Sequence, residues 1–131
     1  MATSKIPEFE TRTRIVCHFP MNRKADPLKP NQIRVMRAFI AYLQRTEISG
    51  FTVSSLMDAV FTGFWRSPRS RRFEKENVVM IIIDHPLEKD DPALAEFAAG
   101  LKREVQKLYK RYAGEKEQDV WIVVHSIDRL V

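Results

Sequence analysis

The stretch "NVVMIIID" (residues 77–84) sets Val78, Val79, Met80, Ile81, Ile82 and Ile83 in unbroken succession. A β-branched run of this kind, without polar alternation, predicts a strand covered on both faces. A second such run, "DVWIVVHSI" (119–127), follows after "DDPALAEFAAGLKREVQKLYKRYAG" (90–114). That intervening segment predicts a helix. Asp91 is placed to cap it, Pro92 suits the first turn, and Gly114 suits the end. Leu94, Phe97, Leu101, Val105, Leu108 and Tyr112 recur at helical spacing and form its apolar stripe. Two covered strands joined by an amphipathic helix read as a β-α-β crossover.

Working outward, "TRTRIVCHF" (11–19) alternates. Thr13, Ile15, Cys17 and Phe19 fall on one side, with Arg12, Arg14, Val16 and His18 on the other. A period of two with one basic face predicts a half-exposed strand near a sheet edge. A helix is expected from Pro30, with Ile33, Met36, Phe39, Ile40 and Leu43 as its stripe and Ser49-Gly50 as its end. A second helix is expected after Thr52 or Ser54, carrying Val53, Leu56, Met57, Val60, Phe61 and Phe64 until Pro68 stops it. Residues 1–11 carry little pattern and are expected to be loosely ordered.

The expected fold is thus one α/β domain over residues 1–131 in the order β-α-α-β-α-β. About three strands form a mixed or parallel sheet, packed with three helices. A sheet that small leaves edges open, so pairing with a second copy is one expectation.

With 131 residues, a hydrophobic fraction of 44% and a charged fraction of 30%, the chain has an ordinary globular composition. The lone Cys17 excludes an intrachain disulfide and a multi-cysteine metal site. The start "MATSKIPEFETRTR" has no apolar secretory core, and no run approaches the length that spans a bilayer. The expectation is a cytoplasmic chain without a membrane segment. Neither GxxxxGK[ST] nor GxGxxG occurs, and no HxH, HExxH or CxxC spacing is present. No cofactor or metal is called for.

Two constellations remain. His18, His85 and His125 each follow an apolar run, and in parallel strands they would gather with Asp84 at the carboxyl edge, where open α/β sheets bind ligands. Asp128 would join them from the following turn. Imidazole and carboxylate together suit metal binding or general base catalysis. The plainer reading is that Asp-His-Pro closes a strand into a turn.

The second constellation is charge. Lys and Arg number 22 against 17 Asp and Glu, a net +5. Arg66, Arg69, Arg71 and Arg72 cluster between Trp65 and Phe73. Arg34, Arg37 and Arg45 lie along the first helix, and Lys102, Arg103, Lys107, Lys110 and Arg111 along the last. Guanidinium forks match phosphate and stack on bases, so this pattern points to nucleic acid or another polyanion as partner. Its plainer reading is a solvated loop that keeps the next strand soluble. The sequence therefore favours a basic binding domain over an enzyme, with the histidine site and a self-associating module as alternatives.

Overall fold

The computed structural model describes residues 6–23, 30–54, 61–66, 70–114 and 120–131. Strand β1 (Phe9–Arg23) is followed by helix α1 (Pro30–Leu43), then β2 (Gly50–Val53), β3 (Phe61–Arg66) and β4 (Phe73–His85). Helix α2 (Pro92–Leu108) runs into a π-helical turn at Tyr109–Ala113, and β5 (Trp121–Leu130) closes the chain.

The sheet has five strands in the order β2-β4-β1-β5, and β3 pairs with the earlier half of β4, so that β2 and β3 share one edge of it. Every pairing is antiparallel. α1 links β1 to the β2/β3 edge with β4 in between, and α2 links β4 to β5 with β1 in between. Two split β-α-β units of this kind define a ferredoxin-like arrangement.

The expected sheet of about three mixed or parallel strands under three helices is therefore corrected. There are five strands, all antiparallel, and two α-helices among the described residues. The segment read as a second helix supplies β2 and β3 instead. Thr52, Val53 and Thr62 are β-branched, and β4 offers a long partner whose ladder outweighs a weak local preference. Leu56, Met57, Val60 and Pro68 lie outside the described residues. β1 is also not an edge strand, since β4 and β5 flank it.

Alternation assigns the faces. Ile15, Cys17 and Phe19 of β1 and Val79, Ile81 and Ile83 of β4 are fully buried against the helices. α1 contributes Val35, Met36, Phe39 and Leu43 to this core, and α2 contributes Leu94, Leu101, Val105 and Leu108. The α2 signals hold as read. The Asp91 carboxylate accepts from the Ala93 N–H at 2.9 Å, Pro92 opens the helix, and Gly114 ends the π turn in the left-handed region at φ 65°. Neither helix is long and apolar enough to cross a membrane.

One core position is chemically mismatched. Thr13 is fully buried on the helix-facing side, and its Oγ1 has no hydrogen-bond partner among the described residues. An unmatched buried hydroxyl is destabilising. Thr13→Val is expected to stabilise the chain by about 1 kcal/mol, read as a higher urea midpoint. A lower midpoint would show that the hydroxyl is satisfied.

Candidate functional site

Both helices lie on one face of the sheet, and no described element covers the other. The register sorts this open face into rows. Ile127 stands opposite Arg12; His125 opposite Arg14, which faces Asp84 and then Gly50. The next row is Val123, Val16, Ile82 and Thr52, and the one after it is Trp121, His18 and Met80.

At the Arg12 end lies a cleft of about 590 Å³ lined by Arg12, Arg14, Ser49, Gly50, Asp84, Ile127, Asp128 and Arg129. Its three guanidinium groups come from both ends of the chain. Arg14 and Asp84 form an ion pair, Nε to Oδ1 at 3.0 Å, with both side chains well exposed to solvent. Such a pair contributes little to stability. Arg12 differs. Its side chain is only 12% exposed, one terminal nitrogen donates to Ser49 Oγ, and another stands 3.9 Å from Glu10 Oε2. Its Nε is buried with no partner among the described residues. A largely buried guanidinium with one donor unused is costly, and an acceptor in the cleft would offset that cost. Asp128 Oδ1 accepts from Thr11 Oγ1 at 3.1 Å, so one lining carboxylate is partly occupied.

The histidines do not gather. β4 and β5 run antiparallel to β1, which places His18 opposite Met80 and Trp121, while His125 lies opposite Arg14. Arg14 and His18 are four residues apart, roughly 13 Å along the strand. His85 is on the other face, 6% exposed, with its ring 4.6 Å from Phe97 and its Nδ1 accepting from the Leu87 N–H at 3.1 Å. Burial lowers its pKa, and the positive charge of Arg12 lowers it further, while Asp91 acts in the opposite sense. Asp84 points away from His85 toward Arg14, as alternation requires. The expected cluster of His18, Asp84, His85, His125 and Asp128 is thus divided, and no group of three metal-ligating side chains occurs among the described residues. Cys17 is buried, and burial pushes its thiol up to about 12, so it behaves as a small apolar side chain.

The basic segments fall on separate elements. Arg66, Arg71 and Arg72 belong to the β3–β4 hairpin. Arg66 donates to the Arg71 carbonyl at 2.7 Å and lies 4.4 Å from the Phe73 ring centroid, so it braces its own turn. Arg71 and Arg72 are exposed, and Arg71 sits at φ 59°, a conformation that costs a non-glycine residue about 1 kcal/mol. Arg69 and the side chain of Trp65 lie outside the described residues. Arg34 and Arg37 are exposed on α1, Lys107 on α2, and Lys110 and Arg111 on the π turn that packs against α1. These helical cations occupy the layer on the opposite side of the sheet from the cleft. Sequence reading singled out the basic face of β1 without recognising Arg12, Arg14, Ser49 and Arg129 as a site. The one available signal was the pairing of arginine with alternation at residues 12 and 14.

No protein-family model matches the chain, and no curated protein matches it. Solved structures do resemble it. A phage SAM lyase in complex with S-methyl-5′-thioadenosine superposes with a TM-score of 0.51 at 16% identity, covering 92% of this chain and 90% of that one. A nitrogen regulatory PII-like protein from Thiomonas intermedia K12, bound to ADP, AMP and bicarbonate, gives 0.45 at 10% identity, covering 93% and 98%. The likeness to the lyase is one of fold.

Proposed function

We propose that this chain is a binding domain for an anionic ligand, received in the cleft formed by Arg12, Arg14 and Arg129. The observation that carries this reading is Arg12, whose guanidinium is mostly buried and keeps Nε without a partner among the described residues. A phosphate, sulfate or carboxylate oxygen is the acceptor that this geometry suits, and arginine binds such groups through paired donors. The separation of the histidines gives a catalytic or metal site no comparable support. A cytoplasmic setting and a polyanionic partner, nucleic acid included, belong to the same reading.

Calorimetric titration with inorganic pyrophosphate at low salt tests it. Binding is expected, and Arg12→Gln is expected to weaken it at least tenfold, since a hydrogen bond to a charged group is lost (about 1.5–3 kcal/mol). The double variant Arg71→Ala/Arg72→Ala is expected to leave it unchanged. Loss with the hairpin variant and retention with Arg12→Gln would move the site to the hairpin. No binding at all would remove the proposal. S-methyl-5′-thioadenosine, the ligand held by the phage lyase, belongs in the same titration as a nucleoside without phosphate. Tight binding of that compound, indifferent to Arg12→Gln, would favour a nucleoside site instead.

Self-association is a second reading, favoured by the position of β5 at the margin of the sheet and by Trp121, 51% exposed. Sedimentation at several concentrations decides it, because a persistent monomer excludes it.

A further inference from the structure

We propose that the ligand of the cleft is a single strand of nucleic acid laid along the open sheet face. Its phosphates rest on Arg12, Arg14 and Arg129, and its bases lie on the residues that continue from the cleft toward Trp121. This rests on the anion reading of the cleft and adds the class of ligand.

The argument is one of row order. Moving away from the cleft, the face presents a polar row (His125, Arg14, Asp84), an apolar row (Val123, Val16, Ile82) and a ring-bearing row (Trp121, His18, Met80). Val16, Ile82 and Val123 are half-buried, His125 is exposed and Trp121 is 51% exposed. Successive rows are two residues apart, about 6.7 Å, a step comparable with one nucleotide of an extended strand. Beyond them, Phe61 stands opposite Val78 and is 45% exposed. Positive charge at one end and flat apolar or aromatic surface at the next steps are the two elements of single-strand binding, an electrostatic track and a stacking platform.

The shape selects among anions. A small molecule held by shape is enclosed in a concavity, whereas this cleft opens onto a sheet surface that no described element covers. A duplex is read by an element that enters its groove, and a sheet face presents none. Unpaired bases splayed across the open face of the sheet and stacked on its rings meet neither obstacle. The carboxylates at the cleft end are Glu10 and Asp84, each already beside an arginine, with Asp128 bonded to Thr11. Asp128 keeps its negative charge, and the three lining arginines outnumber the two lining carboxylates, Asp84 and Asp128.

The test uses a fluorescein-labelled twelve-nucleotide strand of mixed sequence and the corresponding duplex, followed by anisotropy at low salt. The single strand is expected to bind at least tenfold more tightly than the duplex. Trp121→Ala is expected to weaken the single strand about tenfold while leaving pyrophosphate binding unchanged. His125→Ala, at an exposed position, is expected to give a smaller loss in the same direction. In a Trp65→Phe background Trp121 is the remaining tryptophan, and its fluorescence is expected to be quenched by the strand. Equal affinity for duplex, or indifference to both Trp121→Ala and His125→Ala, would overturn the inference. Pyrophosphate binding without strand binding would overturn it and leave the anion reading intact; binding of neither would end both. A chain that sediments as a dimer and ignores the strand would assign this face to a second copy and also overturn it.

Discussion

Phe39→Ala is expected to destabilise the chain by about 3–5 kcal/mol, the cost of removing a buried aromatic ring and leaving its space unfilled. Phe39 is fully buried on α1, with its ring 5.2 Å from that of Phe19 on β1 and 6.0 Å from that of Tyr42. It therefore joins the helix layer to the central strand. Domains of this size have about 5–15 kcal/mol of stability in all, so the variant is expected near the edge of folding at 25 °C. Phe64→Ala supplies the contrast. Phe64 is 56% exposed on β3, and its loss is expected to cost no more than about 1 kcal/mol. Urea unfolding of both variants measures the difference. Equal costs would mean that Phe64 sits in the core, as the helical reading of that segment required, and that the present strand assignment is wrong.

That contrast shows where the sequence was legible. α2 could be read because its signals agree: Asp91, Pro92, the apolar stripe and Gly114 all specify the same ends. The faces of β1 followed from alternation alone. The segment 50–66 misled because its apolar spacing is short enough to satisfy a helix, while the decision lies in pairing with β4, a partner distant in sequence. The apolar runs in β4 and β5 misled differently. Continuous hydrophobicity implied helices on both faces and hence a parallel sheet. Instead one face is covered by helices, and Val16, Ile82 and Val123 lie half-buried on the other. The cleft was hidden for a related reason. Arg129 lies far in sequence from Arg12 and Arg14, and antiparallel pairing of β1 with β5 brings them together, whereas Arg66, Arg71 and Arg72 of the conspicuous run lie where β3 ends and β4 begins.

Acidification is expected to destabilise the protein through His85. In the folded chain its ring is held against Phe97, its Nδ1 accepts the Leu87 N–H, and burial, then Arg12, lower its pKa from the ordinary value of 6.5. In the unfolded chain it titrates at that ordinary value. Above pH 6.5 the ring is neutral in both states, and its contribution to stability is fully present. As the pH falls below 6.5 the unfolded chain takes up the proton first, so stability declines until the folded pKa is passed. One proton limits the slope to about 1.4 kcal/mol per pH unit. Protonation has a structural counterpart as well, because a charged imidazole no longer accepts at Nδ1 and the turn at Pro86-Leu87 loses its tie. His85→Asn separates these effects. Its side-chain oxygen can accept from the N–H two residues on, as asparagine commonly does in turns, but it does not titrate. The variant will be less stable at neutral pH for want of ring packing against Phe97. Its unfolding free energy, measured by urea from pH 7.5 to 5.5, is nonetheless expected to show a flatter pH dependence than that of the parent. A parent curve with no decline over this range, or an identical decline in the variant, would mean that another group carries the titration and that the buried imidazole is not what ties acid sensitivity to this end of the sheet.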